Sequence, residues 1–284
     1  MTDCITVKAP AKLNLFLEVG ERMEDGYHKI ESVMQSVTLY DTLTVKKEKS
    51  GIAFNCDKKD LLYDGNLVVI AAKMFFEKSK AAGGVSITLQ KKIPVSAGLG
   101  GGSSDAAATL TSLNRLYDFP LSEKDLFDIA KKLGADVPFC IKRGLCRAYG
   151  IGEVLQRIKP LPPCCFAVAK GAASVSTKAA FALMDAHKDR VIKNSDKITE
   201  MILKGDIKGV CDAMYNAFEI NGEYDEKIKN VMKKHKAYNA LMSGSGPSVF
   251  GVFEREEDAK NAENELRSLG CECFVCVPET DPEG

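Results

Sequence analysis

The sequence predicts an α+β protein of two domains. Its 284 residues exceed the roughly 150 residues of a typical domain. The amino-terminal half opens with several strand patterns, whereas helical patterns prevail beyond residue 170, and this order of strands and helices favours an α+β fold with an antiparallel sheet. Prolines at 160, 162 and 163 interrupt both patterns. We therefore place the domains at 1–155 and 156–284.

Within the first domain, apolar residues alternate over 4–19, which predicts a strand with one polar face. Ser122 followed by Asp125 predicts a capping box at the start of a helix that ends at Gly134. The other strand patterns cover 32–39, 42–46, 52–56 and 85–89, and the other helical patterns cover 67–75 and 110–116.

The second domain mixes short strands with longer helices. Strand patterns cover 165–169, 240–242, 248–253 and 273–277, and helical patterns cover 178–184, 195–203, 207–218, 224–235 and 256–269. The strands at 240–242 and 248–253 bracket a Gly-Ser turn, which predicts a hairpin.

Charge and composition exclude several classes of protein. The 39 basic residues balance 39 acidic ones, so a nucleic-acid binder that works by counterion release is disfavoured. The longest apolar run, at 161–169, contains two prolines and falls short of the ~20 residues of a membrane helix. Apolar residues make up 45% of the chain, as in ordinary globular proteins.

The ten cysteines favour a reducing cytoplasmic location. Their density is below that of a secreted disulfide scaffold, and no basic and apolar signal segment opens the chain. Cys271, Cys273 and Cys276 resemble a metal-ligand run, but they alternate faces within a strand pattern and lack a fourth ligand. We expect them to be small buried thiols.

The stretch from Pro94 to Asp105 is the strongest functional signal. Four glycines, Gly98, Gly100, Gly101 and Gly102, let backbone N–H groups surround an anion, and Ser103 and Ser104 follow where a helix begins. The loop lacks the lysine of a Walker A motif and the third glycine of a dinucleotide fingerprint. A flexible turn is the alternative, although a turn rarely needs four glycines and two serines.

Four weaker candidates lie elsewhere, and each has a structural alternative. Lys12 and Asn14 share a strand face that could point into a cleft or into solvent. Tyr27 and His28 belong to a loop that, taken alone, is best read as a surface turn. Asp136 lies between a glycine and a proline, where it could simply cap the next segment. The Gly-Ser turn at 243–248 could be turn chemistry alone.

Three motifs in this order resemble those of the GHMP kinases, the galacto-, homoserine, mevalonate and phosphomevalonate kinases. They are Pro10-Ala11-Lys12-Leu13-Asn14, the loop at 94–104 and the turn at 243–246. The resemblance spans most of the chain. It implies a two-domain α+β fold with an ATP and substrate cleft between the domains, and an enzyme that phosphorylates an alcohol with ATP. The ATP-binding residues that it implies are Asn66, Pro94, Gly98, Leu99, Gly100, Gly101, Gly102, Ser103 and Ser104.

The same resemblance implies roles for individual side chains. Asp136 would accept the proton of the substrate hydroxyl, Lys12 would hold that base and the transferring phosphoryl group, and Asn14 would position the substrate. Within the family, the motifs are similar to those of members that act on a cytidine diphosphate substrate. Tyr27 and Phe181 would then stack on the cytosine, His28 would read its edge, and Thr177 would lie near the diphosphate.

Mg²⁺ is expected to accompany ATP, with Ser103 or Ser104 as a possible ligand and the remaining ligands unassigned. Two alternatives stay open. Another member of the family, acting on homoserine or mevalonate, would share the ATP loop without using the cytidine residues. An RNA-binding module is disfavoured by the neutral net charge. The sequence does not determine the oligomeric state.

Overall fold

The structure is a computed structural model that describes residues 3–172, 176–187, 191–221 and 225–279. The chain divides into two compact units, and neither is a continuous segment. The first unit comprises 1–11, 40–95 and 100–142, and the second comprises 12–39, 96–99 and 143–284. The domain boundary at 155/156 stays a prediction.

Strands and helices follow one another in a mixed order. The strands are β1 (Cys4–Arg22), β2 (His28–Glu48), β3 (Gly51–Cys56), β4 (Gly84–Gln90), β5 (Leu145–Tyr149), β6 (Val154–Arg157), β7 (Cys165–Lys170), β8 (Tyr215–Asn216), β9 (Asn239–Met242), β10 (Val249–Phe253) and β11 (Glu272–Cys276). The helices are α1 (Leu67–Ser79), α2 (Gly101–Leu116), α3 (Glu123–Leu133), α4 (Val137–Lys142), α5 (Thr177–Ala186), α6 (Asp196–Lys204), α7 (Ile207–Asp212), α8 (Glu226–Lys234) and α9 (Glu256–Ser268).

In the first unit, helices pack beside a sheet in which β4 pairs parallel with β3 and antiparallel with β2. Helix α2 packs against both α1 and α4, and Phe75 and Leu110 are fully buried. The predicted capping box of α3 is confirmed, because Ser122 Oγ accepts the Asp125 N–H at 3.2 Å and the Asp125 carboxylate accepts the Ser122 N–H at 3.3 Å. That cap fixes where α3 begins.

The second unit contains an antiparallel sheet with the strand order β11-β7-β10-β9. Helices α8 and α9 pack on this sheet, and Met232, Phe253 and Leu266 are fully buried in its core. Two further pairs belong to this unit. Strand β5 pairs antiparallel with β2, and β8 pairs parallel with β1.

The prediction of one helix over 207–218 is wrong in its second half. Helix α7 ends at Asp212, and β8 then pairs with β1 through Tyr215 and Asn216. The Asn216 side chain donates to two backbone carbonyls and accepts the Phe218 N–H at 3.0 Å. Such side-chain bonds compete with helical ones, so tertiary pairing prevails over local spacing here.

Other differences are smaller. The strand patterns at 32–39 and 42–46 belong to the single strand β2, the six-residue helix α4 was not predicted, and the start of the predicted helix at 224 lies outside the described residues. Within the described ranges, none of the helices combines the length and hydropathy that a membrane span requires.

All ten cysteines are free thiols, and eight of them are buried. Burial raises the pKa of Cys273 to about 12, so this thiol stays protonated near neutral pH. Among the residues that the structure describes, no three His, Cys, Asp or Glu side chains are grouped as metal ligands. Cys273 and Cys276 are buried as expected, whereas Cys271 is only half-buried, so the expectation is wrong for that thiol.

Candidate active site

The rear half of the glycine-rich loop opens helix α2 in the first unit. Gly100 precedes the helix in the left-handed conformation, with φ +68°, which glycine adopts without strain. The Ser104 N–H is the first to bond within this turn, to the Gly100 carbonyl at 2.8 Å. The N–H groups of 101–103 therefore have no partner inside the helix and carry its positive dipole end. Such a helix terminus suits a phosphate.

The two serines of this turn differ in their exposure. Ser104 is 1% exposed, and its Oγ has no hydrogen-bond partner within the described residues, whereas Ser103 is half-buried. A hydroxyl that reaches a cation bound to phosphates must be open to that cation, so Ser103 suits the expected Mg²⁺ better than Ser104.

A buried ionic cluster lies behind the loop in the same unit. Lys91 Nζ donates to Asp41 and, at 2.8 Å, to Asp105 on α2. Asp41 Oδ1 also accepts the N–H groups of Lys92 and Ile93, at 2.6 and 2.8 Å, whereas Asp105 Oδ1 is buried without a partner among the described residues. We call Asp41, Lys91 and Asp105 the buried triad.

Charges in the buried triad do not cancel, since one ammonium group faces two carboxylates. Burial raises the pKa of Asp105 to about 7, the Asp41 charge adds to the rise, and Lys91 opposes it. Burial alone would lower the pKa of Lys91, but the two carboxylates raise it. The lysine therefore stays protonated, and below about pH 7 the proton that neutralises the triad is mainly on Asp105.

In the second unit, Lys12 and Asn14 are held in a chain of hydrogen bonds. Lys12 Nζ donates to Asn14 Oδ1 at 2.6 Å, Asn14 Nδ2 donates to Ser32 Oγ at 2.9 Å, and Ser32 Oγ donates to the Phe16 carbonyl at 2.6 Å. Lys12 and Asn14 are 4% and 3% exposed. The alternative of a solvated strand face is thus wrong, and each bond fixes the orientation of the next side chain.

The front half of the glycine-rich loop, at 96–99, belongs to the second unit and rests on the turn at 243–248. Ser243 Oγ donates to the Gly98 carbonyl at 3.0 Å, and the Lys12 N–H donates to the Leu99 carbonyl at 2.9 Å. Gly98 has φ +74°, and a Cβ there would lie 2.1 Å from the Ser243 carbonyl oxygen. The turn at 243–248 therefore also supports the front half of the glycine-rich loop through direct contacts.

Helix α5 and the loop after β1 line a cavity of about 530 Å³ in the second unit. The His28 and Phe181 rings stack with centroids 5.0 Å apart and an angle of 28° between their planes. The Phe218 and Phe181 rings are nearly perpendicular, with centroids 5.0 Å apart. Tyr27 is 58% exposed. Residues that line the cavity include Arg22, Tyr27, His28, Thr177, Phe181 and Asp185. The lining therefore combines aromatic rings with charged and hydroxyl-bearing side chains, and most of its exposed surface is apolar.

Sequence reasoning missed Arg22 and Asp185. Asp185 Oδ1 lies 2.9 Å from His28 Nε2, and Arg22 Nη1 lies 3.6 Å from Asp185 Oδ2. Asp185 follows Phe181 by four residues, which places both on one helical face. This four-residue spacing from Phe181 is the sequence feature from which Asp185 could have been predicted as a site residue.

The predicted residues divide between the two units. The first unit contains Asn66, Pro94, Gly100, Gly101, Gly102, Ser103, Ser104 and Asp136, and the second contains Lys12, Asn14, Tyr27, His28, Gly98, Leu99, Thr177 and Phe181. Thus the structure brings together Lys12 with Asn14, and Tyr27, His28, Thr177 and Phe181 around one cavity.

Asn66 and Asp136 also serve the local fold. Asn66 caps α1, because its Oδ1 accepts the Val68 N–H at 2.9 Å and its Nδ2 donates to the Leu61 carbonyl at 3.0 Å. Asp136 precedes α4, and its carbonyl accepts the Cys140 N–H at 3.0 Å. An adenine-binding role for Asn66 and a catalytic role for Asp136 stay predictions.

Two family models match the chain. The GHMP kinases N terminal domain matches residues 66–144, and the GHMP kinases C terminal domain matches residues 198–270. Two similar proteins are 4-diphosphocytidyl-2-C-methyl-D-erythritol kinases. That of Clostridioides difficile (strain 630) is 41% identical over 273 residues, covering 93% of this chain and 92% of the relative. That of Acetivibrio thermocellus is 37% identical over 279 residues, covering 96% and 98%.

Solved structures are similar as well. A crystal structure of 4-(cytidine 5'-diphospho)-2C-methyl-D-erythritol kinase superposes with a TM-score of 0.83 and 32% identity, covering 97% of this chain and 100% of that one. Methanococcus jannaschii mevalonate kinase gives a TM-score of 0.76 at 18% identity, covering 97% and 98%. The latter likeness concerns the fold alone.

Proposed function

Because this chain belongs to the GHMP kinase family and is an ATP-dependent small-molecule kinase, we propose that it phosphorylates the 2-hydroxyl of 4-diphosphocytidyl-2-C-methyl-D-erythritol. The products are the 2-phosphate and ADP, in the non-mevalonate route to isoprenoids. The observation that carries the proposal is 41% identity to a kinase named for this substrate, over more than nine-tenths of both chains. The ten free thiols support a reducing, cytoplasmic location.

Phosphoryl transfer needs alignment, a proton acceptor and positive charge more than covalent help. The bond from the γ-phosphorus to the bridging oxygen of ADP breaks as the bond to the substrate 2-oxygen forms, and we assign the displaced hydroxyl proton to Asp136. Lys12 supplies positive charge to the moving phosphoryl group. The Lys12 bond to Asn14 supports this role, because an ammonium group held in place needs little reorganisation during the reaction.

We assign the ATP phosphates to the glycine-rich loop and the N-terminus of α2. Two features support this assignment: the N–H groups of 101–103 have no hydrogen-bond partner inside the helix, and Gly100 has the left-handed conformation. When bound with ATP, Mg²⁺ neutralises charge on the phosphates. Ser103 is the protein hydroxyl that we propose as its ligand, because Ser104 is buried. Asn66 is assigned to the neighbourhood of the adenine.

The cytosine of the substrate is assigned to the cavity beside α5. Tyr27 and Phe181 line this cavity, and stacking of a base on an aromatic ring contributes roughly 1–3 kcal/mol. Stacking accepts any base, so the preference for cytosine requires hydrogen bonds, which we assign to His28. Thr177, whose Oγ1 lies 2.9 Å from Ser245 Oγ, is assigned to the substrate diphosphate.

A direct assay tests the proposal. The protein is incubated with Mg²⁺, ATP and the cytidine diphosphate substrate, and ³¹P NMR detects ADP and a new phosphomonoester. Homoserine and mevalonate are supplied in parallel reactions. We expect turnover with the cytidine substrate alone. Turnover with homoserine or mevalonate, and none with the cytidine compound, would assign the chain to another activity of the same family.

A further inference from the structure

We infer that Asp185 fixes the hydrogen-bonding state of His28 and thereby makes the cavity prefer a base with an amino group over one with a carbonyl oxygen at the same position. Asp185 is a positioning and specificity residue on this account, because it acts on the base through the His28 ring. The inference rests on the proposed function, which assigns the base of the substrate to this cavity.

The His28 ring is held from two sides. Its Nε2 atom lies 2.9 Å from Asp185 Oδ1, and its face stacks on Phe181. The side chain is only 7% exposed, whereas that of Asp185 is 34% exposed. Phe181 and Asp185 are both on α5, so one helix sets both the plane of the ring and its rotation within that plane.

The carboxylate determines which ring nitrogen carries hydrogen. An ionised aspartate accepts hydrogen bonds and donates none, so the nitrogen that faces it must donate. In the neutral ring, hydrogen on Nε2 leaves a lone pair on Nδ1. Among the residues that the structure describes, no group forms a hydrogen bond with His28 Nδ1. With hydrogen on Nε2, Nδ1 therefore keeps a lone pair that can accept a hydrogen bond from a ligand in the cavity that His28 lines.

An acceptor at Nδ1 distinguishes the two pyrimidines. Cytosine carries an amino group at C4, which donates, whereas uracil carries a carbonyl oxygen there, which only accepts. A lone pair facing the uracil oxygen leaves both acceptors unsatisfied and repelling one another. The Asp185 carboxylate thus turns a histidine that could read either base into one that favours cytosine.

Arg22 is expected to set the orientation of the amide in the variant Asp185→Asn, which makes this variant a specific test of the inference. Arg22 Nη1, which only donates, lies 3.6 Å from Asp185 Oδ2. In Asp185→Asn, this donor attracts the amide oxygen and turns the amide NH₂ toward His28 Nε2. The histidine must then place its hydrogen on Nδ1, where it opposes the cytosine amino group and matches the uracil oxygen.

The test is calorimetric titration of the whole chain with CDP and with UDP at pH 8.5, for wild type, Asp185→Asn and the matched control Asp212→Asn. Asp212 is an exposed aspartate of α7. We expect wild type and the control to prefer CDP. In Asp185→Asn the preference should fall by roughly tenfold or more, the scale of one mispaired hydrogen bond. In turnover assays with the full substrate, KM should rise while kcat changes little.

A spectroscopic readout keeps the inference testable if the variant is poorly stable. Long-range ¹H–¹⁵N correlation spectra of wild type show which nitrogen is protonated in each of the three histidines, and His28→Gln assigns the signal. We expect hydrogen on Nε2 alone. Hydrogen on Nδ1 alone or on both nitrogens overturns the inference, as does a folded Asp185→Asn that keeps the full CDP preference.

The two proposals fail differently. If wild type binds CDP no better than UDP, the cytidine substrate and this inference fall together. If wild type prefers CDP and Asp185→Asn prefers it equally, the proposed function stands and only the role of Asp185 is refuted.

Discussion

Replacing Asp105 with asparagine should remove a pH-dependent penalty on stability. The side chains of Asp41, Lys91 and Asp105 are 0%, 4% and 4% exposed, so the fully ionised buried triad holds one uncompensated negative charge in the interior. Burying such a charge costs several kcal/mol. Protonation of Asp105 relieves it, which is the physical reason that its pKa rises to about 7.

The direction in which wild-type stability changes with pH follows from proton linkage. Between pH ~4 and ~7 the folded state keeps the Asp105 proton that the unfolded state has lost, so wild type loses stability as pH rises through this range. At about 1.36 kcal/mol per pKa unit, the interval from 3.8 to about 7 corresponds to at most ~4 kcal/mol. An amide does not ionise. Part of that interval lies below pH 4.5, so Asp105→Asn should gain up to ~3 kcal/mol of unfolding free energy relative to wild type between pH 4.5 and 8.

Urea unfolding followed by circular dichroism, at half-unit pH steps, measures this difference. Asp128→Asn is the matched control, because the Asp128 side chain on α3 is 50% exposed, and its difference from wild type should stay flat. The reasoning fails if the Asp105→Asn difference also stays constant within about 0.5 kcal/mol, or if it moves in favour of wild type as pH rises.

Three further predictions concern catalysis, the loop and the thiols. Asp136→Asn and Lys12→Ala should each lower kcat by ~100-fold or more while the ATP Kd changes by less than roughly threefold; normal kcat with a large rise in the ATP KM would leave both residues as scaffolding. Gly98→Ala should cost about 2–4 kcal/mol in thermal or urea unfolding, because φ is +74° and the Ser243 oxygen is 2.1 Å from the new Cβ. Gly205→Ala, with φ +75° and open space, should cost only about 1–2 kcal/mol, and equal losses would show that the contact is unimportant. Thiol titration of freshly unfolded protein without reductant should count about ten groups, and a stable deficit of two or four would contradict the free thiols.

Local patterns predicted much of the secondary structure. The capping box at Ser122 and the alternation in β4 depend on residues that are close in sequence, and both predictions are confirmed. Strand β8 depends on a partner about 200 residues away. No window of helical spacing contains that partner, so the prediction over 207–218 extended the helix too far.

In the candidate site, too, local motifs could be predicted from the sequence, whereas contacts between residues distant in sequence could not. Motifs predicted the glycine-rich loop and Lys12 as candidate site residues, because each motif is a run of neighbouring residues that can be recognised locally. The buried triad joins residues 50 and 14 positions apart with no repeating spacing between them. No local pattern therefore connects its members, and only their burial and contacts in the fold identify them as a group.

The interleaving of the two units constrains how this protein can be dissected and recombined. The chain passes from one unit to the other after Ala11, Leu39, Val95, Leu99 and Lys142. A chimera that exchanges one unit for that of a relative must be spliced at all five of these junctions, two of them inside the long strands β1 and β2. Exchange of one continuous segment of the chain therefore cannot replace either unit as a whole.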